Sequence, residues 1–226
     1  MLNLLDKRGG FNRKVVNKTF FKKWNPSMAY VLGYLFADGS IVDSKPSRTS
    51  YLRFYSNDRD VLEGIRDVMD FGGGIYSRKK GGCGDIEKIH YYISIGSREI
   101  CNDLIRIGVG PRKSKTMSFP DVPDEYLSYF VRGYFDGDGC LYCEKGNKRL
   151  RVIFTSGSRG FLLALSKRLA GALGVKDQNV VRSTRSYQIR YSTIEAEMIL
   201  DYIYGGLKKA PYLRRKFLKY GKWRGC

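Results

Sequence analysis

The sequence carries one ten-residue pattern twice. Tyr30-Val31-Leu32-Gly33-Tyr34-Leu35-Phe36-Ala37-Asp38-Gly39 and Phe130-Val131-Arg132-Gly133-Tyr134-Phe135-Asp136-Gly137-Asp138-Gly139 share a glycine, a tyrosine, an aspartate and a closing glycine, 100 residues apart. Each copy reads as an apolar helix ending in an acid. Gly33 and Ala37 lie one helical turn apart, as do Gly133 and Gly137, so each helix carries a strip without bulk. A glycine inside a helix costs about 1 kcal/mol relative to alanine. Meeting it twice at one register implies a shared packing reason, the close approach of two helices.

The match extends beyond the pattern. At the same offset Phe54 and Ser56 correspond to Phe154 and Ser156, Arg59 to Arg159, and Leu62 and Ile65 to Leu162 and Leu165. Later Ile93, Leu104 and Ile107 match Ile189, Leu200 and Ile203, a drift that an indel near 171–176 and in the following hairpin explains. The repeat is therefore structural. Asn25-Pro26 supplies a cap and a first-turn proline for the first motif helix. Strands are expected at 40–42, 51–56, 75–80 and 90–96, and helices over Val61–Met69 and Arg98–Ile107. Each half then runs helix, two strands, helix, two strands, helix. The expectation is an α+β chain of two pseudo-symmetric αββαββα halves, each with a four-stranded antiparallel sheet, joined at the motif helices. The expected boundaries are a basic arm at 1–24, a first half at 25–110, a linker at 111–122 and a second half at 123–226. Phe20, Phe21 and Trp24 are expected to anchor the arm onto the first half, and the end of the chain reads as a basic tail.

Forty-one Lys and Arg against 22 Asp and Glu give a formal charge of +19 over 226 residues. So large and dispersed an excess points to a polyanionic partner, nucleic acid first. No run of about 20 apolar residues and no signal-peptide core is present, so a soluble, intracellular protein without membrane contact is expected, in cytoplasm, nucleoid or organelle matrix. The five cysteines are odd in number and irregularly spaced, which fits a reducing compartment. Cys140 and Cys143 have the spacing of half a zinc knuckle, but no second pair follows and His90 is the one histidine, so zinc is not expected.

Asp38 and Asp138 end their helices where the dipole already contributes roughly −0.5, so bringing the two ends together collects roughly −3 in one place. A cation is needed to hold that arrangement. Carboxylates without nearby His or Cys favour Mg²⁺ or another hard divalent ion, completed by backbone carbonyls and water. Inside a basic protein, such a centre suits a phosphodiester substrate.

This constellation resembles the LAGLIDADG homing endonucleases in their single-chain form with two motif copies, from about Asn25 to Lys216. The resemblance implies that the motif helices form the interface between halves, that two sheets make a saddle over the DNA major groove, and that the protein works as a monomer. It implies site-specific, Mg²⁺-dependent hydrolysis of both strands of double-stranded DNA at a target of ~20 base pairs, leaving short 3′ overhangs. Asp38 and Asp138 would hold the metals, with the carbonyls of Ala37 and Gly137 as further ligands. Lys113 matches a basic position near the metals in the first half. Lys216 is the choice for the second, with Arg214 and Arg215 competing, and a basic cluster touching phosphates is the plainer reading of each lysine. Phe36 departs from the usual motif, which has an acid there as Asp136 does. Asp136 is read as a structural or charge-tuning residue.

If Leu52, Phe54, Val152, Phe154, Ile189 and Tyr191 face the helices, alternation turns Tyr51, Arg53, Tyr55, Arg149, Arg151, Gln188 and Arg190 toward DNA. Arg78, Lys80 and Arg182 are expected to join them. Arg suits guanine and Gln adenine in the major groove, although each side chain alone can simply touch phosphate. The alternative function is an intron maturase or a non-catalytic nucleic-acid binder on the same fold, which needs the basic surface but not the acids.

Overall fold

The computed structural model describes residues 14–44, 49–80, 88–110, 116–144 and 149–225. Helix α1 spans Pro26–Asp38, with the Asn25 side chain accepting from the Met28 N–H and proline in the first turn. Every residue from Met28 to Phe36 is buried, as expected of a helix that is apolar all round. Helix α4, Asp124–Asp138, is its counterpart and opens with Asp124 and Glu125 where the dipole favours acids.

Each motif helix runs without a loop into a strand. Gly39 begins β1 (Gly39–Ser44) and Gly139 begins β5 (Gly139–Cys143). The first half continues with β2 (Thr49–Ser56), α2 (Arg59–Val68), β3 (Tyr76–Lys80), β4 (Lys88–Gly96) and α3 (Arg98–Arg106). The second continues with β6 (Leu150–Ser156), α5 (Arg159–Leu173), β7 (Val181–Arg182), β8 (Tyr187–Ser192) and α6 (Ile194–Tyr204). The two antiparallel sheets have equivalent orders, β1-β2-β4-β3 and β5-β6-β8-β7. Their registers also agree: Gly39 pairs with Phe54 and Ile41 with Leu52, as Gly139 does with Phe154 and Leu141 with Val152. The expected fold is present, with the repeat's drift falling in the second helix and the outer hairpin: α5 has 15 residues against 10 in α2, and β7 two against five in β3.

Leu52, Phe54, Val152, Phe154, Ile189 and Tyr191 are all fully buried under the helices. Tyr34 donates to the Tyr55 carbonyl at 2.9 Å and Tyr134 to the Thr155 carbonyl at 2.6 Å. One equivalent tyrosine thus ties each motif helix to its own sheet.

Three features depart from expectation. The end of the chain is not a tail: α7, Arg214–Arg224, packs back on the second half with Lys216 and Tyr220 buried. The arm's anchor touches both halves. Residues 15–17 bond to the end of α2 through Asn17 N–H to Met69 O and Gly72 N–H to Val15 O, whereas Trp24 stacks on Tyr126 of α4. Finally, the described end of the linker is part of a core. Met117 is buried and its carbonyl accepts from the Ser158 hydroxyl at 2.8 Å, while Phe119 packs on Phe130 and Phe161.

Candidate metal and nucleic-acid site

The motif helices meet backbone to backbone. A methyl group built on Gly33 would strike the Phe130 carbonyl oxygen, and one on Gly133 the Tyr30 carbonyl oxygen. Glycine is what permits this approach, so the shared strip without bulk has the packing reason its repetition implied.

Close approach brings the helix ends together. A methyl on Gly137 would collide with the Ala37 side chain and lie 3.5 Å from Asp38 Oδ2. The Asp38 carboxylate therefore stands over the last turn of the opposite helix. Burial raises the pKa of Tyr134, and the charges of Asp138 and Asp38 raise it further; Tyr34 is raised by burial and then by Asp38. Both carboxylates thus act on one tyrosine of α4. Asp38 is half-buried and Asp138 exposed.

Among the described residues no three or more His, Cys, Asp or Glu gather at one point. Asp38 and Asp138, with the carbonyls of Ala37 and Gly137, instead form an oxygen-only set at two helix C-termini, a chemistry that fits a hard divalent cation. Cys140 and Cys143 are an odd number of residues apart on β5, so they point to opposite faces and chelate nothing together.

Beneath the second acid lies a polar network that no local pattern announced. The buried Asp136 carboxylate accepts from Tyr30 Oη at 2.9 Å, Tyr204 Oη at 3.2 Å and the Leu213 N–H at 2.7 Å. Burial pushes its pKa up to about 6, against the opposing pull of Lys216 and these donors. Arg132, fully buried between the Tyr30 and Tyr129 rings, donates to the carbonyls of Ile203 and Ala210. Asp136, read from the sequence as structural or charge-tuning, thus sits at the centre of a buried network that joins α1, α4, α6 and the start of α7.

Lys216 reaches the end of α4, but its ammonium donates to the carbonyls of Phe135, Asp136 and Gly139. An ammonium has three donors, and all three are taken. Burial pushes its pKa down to about 8, partly offset by Asp136. In this arrangement the ammonium is turned to the carbonyls at the end of the helix that carries Asp138, which it caps. Of its competitors, Arg215 pairs with Asp58 at 3.0 Å, and Arg214 is exposed. Lys113 lies outside the described residues.

The sheet registers locate the expected base-reading residues. Tyr51, Arg53 and Tyr55 stand opposite Gly96, Ser94 and Tyr92, on the face away from Leu52 and Phe54. Tyr76 and Arg78 share that face through their pairing with Tyr92 and His90, and the backbone register includes Lys80. Arg53 lies over the Tyr51 ring and Arg78 over Tyr55. In the second sheet Arg151, Gln188 and Arg190 share the outward face, and Arg149 follows by alternation. Arg182 does not: it pairs with Tyr187, itself opposite buried Ser156, which sets it on the other side of the sheet from Gln188. The indel before β7 shifted the parity that the sequence alone suggested.

The LAGLIDADG-like domain model matches the chain twice, over residues 25–106 and 125–204. No curated protein sequence matches it. Among solved structures, it is similar to the homing endonuclease I-WcaI bound to its DNA recognition sequence, with a TM-score of 0.61, 12% identity, and coverage of 87% of this chain and 92% of that one. Mesophilic variants of the homing endonuclease I-DmoI give a TM-score of 0.56 at 16% identity, covering 91% and 99%. The N-terminal LAGLIDADG domain of WhiA gives 0.56 at 10% identity, covering 92% and 87%. At such identities the structural likeness speaks for the fold alone. With two paired motif helices, two equivalent sheets and a family match in each half, the chain belongs to the LAGLIDADG family.

Proposed function

We propose that the protein is a site-specific, metal-dependent endonuclease that hydrolyses both strands of double-stranded DNA, acting as a single chain. The observation that carries this reading is the pair of acid-tipped helices, packed so closely that the Asp38 carboxylate stands beside Gly137. The similar DNA-bound homing endonucleases support it. Asp38, Asp138 and the carbonyls of Ala37 and Gly137 would hold Mg²⁺ or a related ion. A bound divalent ion supplies Lewis-acid activation of water and neutralises charge on the phosphoryl and leaving oxygens. The chain's own share is positional. Tyr34 and Tyr134 fix each motif helix to a sheet, Lys216 holds the end of α4, and the outward sheet faces orient the duplex over the acids. Charge excess on the protein concentrates the substrate and makes binding salt-dependent; about 10 neutralised phosphates give a log–log slope near −9.

Cutting of a randomised duplex library in Mg²⁺ tests this. Asp38→Asn and Asp138→Asn should each abolish double-strand cleavage while leaving binding intact. Unchanged metal-dependent cutting in both variants overturns the proposal. A second reading, binding without cleavage, is favoured by one observation: the Lys216 ammonium is spent on carbonyls. Intact binding to DNA or to a structured intron RNA, with no cleavage in Mg²⁺ or Mn²⁺, would establish it.

A further inference from the structure

The outward face of the second sheet pairs two side chains that were read separately from the sequence. Arg190 donates to the Gln188 Oε1 atom through both Nε, at 3.2 Å, and Nη2, at 2.8 Å. The carbonyl oxygen of an amide has two lone pairs, and this fork uses both. Adenine recognition by Gln requires that oxygen as an acceptor for the N6 amino group. In this arrangement Gln188 presents its Nε2 donors only, and Arg190 adds its remaining N–H groups. The pair is a surface of donors with no acceptor.

The sheet register holds the pair in place. Thr155 and Val181 stand directly across from Gln188 on the two neighbouring strands, and Ile153 stands across from Arg190. Directly opposed residues have Cβ atoms about 4.5–5.5 Å apart, so the Thr155 and Val181 side chains flank that of Gln188. The first sheet differs, because Arg53 and Arg78 lie over tyrosine rings there.

We propose that Gln188 and Arg190 act as one donor-only unit that reads a single guanine in the half-site facing the second sheet. Guanine is the base whose major-groove edge offers two adjacent acceptors, N7 and O6, and no donor, whereas adenine would set its amino group against the pair. The inference rests on the DNA-binding function proposed above.

Selection of bound duplexes from a randomised library in Ca²⁺, followed by sequencing, separates the possibilities. The wild-type motif should contain one guanine whose preference Gln188→Ala and Arg190→Ala each weaken about tenfold. The double variant should weaken it no further, because one unit has been broken either way. Gln188→Glu keeps the arginine fork while adding a free acceptor, so preference at that position should move toward cytosine. An adenine at the Gln188-dependent position overturns the inference, as do effects of the two variants at different positions or a guanine indifferent to both. A wild-type selection with no enriched motif overturns the site-specific DNA reading itself, and this inference with it.

Discussion

The two halves solve one packing problem with opposite chemistry. The pseudo-twofold relation maps Tyr30 onto Phe130 and Asp136 onto Phe36, so one contact between motif helices occurs in two versions. On one side it is the hydrogen bond from Tyr30 Oη to Asp136 Oδ2, at 2.9 Å. On the other it is the edge-to-face contact of Phe36 with Phe130, at 5.6 Å between ring centroids. The difference extends outward. Leu32 in the first half corresponds to buried Arg132 in the second, and the apolar version continues into Phe119 and Phe161 while the polar version continues into Tyr204, Leu213 and Lys216. The described end of the linker covers the apolar version and α7 the polar one. The halves therefore share a fold while differing in what holds each acid-bearing helix end.

Removing the polar anchor should be the most damaging change. Asp136→Ala leaves buried Arg132 and Lys216 without their counter-charge and three donors without an acceptor. An uncompensated buried charge costs about 3–5 kcal/mol, readable by denaturant unfolding. A loss below 1 kcal/mol would mean that the polar half is held mainly by its apolar surroundings, like the first half.

Lys216→Met should cost less, about 1.5–3 kcal/mol for a charged hydrogen-bond donor, but under the proposed endonuclease function its effect on cleavage should be one-sided. It frees the end of α4 and leaves α1 untouched, so a supercoiled plasmid bearing the target should accumulate as nicked circles before becoming linear. Equal slowing of both cuts would show that the two ends are not held independently.

The same pair predicts a pH signature. Burial raises Asp136 from its ordinary 3.8 to about 6, so the fold holds a proton that the unfolded chain has released, and stability falls as pH rises through that window. Lys216 is lowered from 10.5 to about 8, so the unfolded chain holds the extra proton there and stability recovers as pH rises from about 8 to 10.5. Thermal melting across pH should show a shallow minimum between about 6 and 8, flattened in the double variant Asp136→Asn, Lys216→Met. A maximum in that window would reverse the assignment. The smallest effect belongs to the exposed Arg215–Asp58 pair, where Arg215→Ala should cost no more than about 1 kcal/mol in the same melts.

What the sequence disclosed divides along the same line. Features repeated at a fixed offset were legible: the motif helices, the strand order, the alternation that buries Phe54 and Phe154, and the meeting of the helix ends that carry Asp38 and Asp138. The second half's particular devices were not. Helix α7 reads as a basic tail because its inward face includes a lysine. Phe217, Tyr220 and Trp223 nonetheless recur every three residues, and that spacing could have revealed it. The partners of Asp136 lie 68 to 106 residues away along the chain, so no local pattern could announce them. Arg182 was misplaced because a short indel changes strand parity, and parity decides which face every side chain takes.

The Tyr30–Asp136 contact also governs which half-chains can associate. Two copies of the first half would set Tyr30 against Phe36, aromatic on aromatic. Two copies of the second would bury the Asp136 carboxylate against Phe130, which has no hydroxyl to offer. The hydroxyl of Tyr30 thus works as a mating-type label, so that an isolated second half should refuse its own kind and assemble only with a first half supplied in trans.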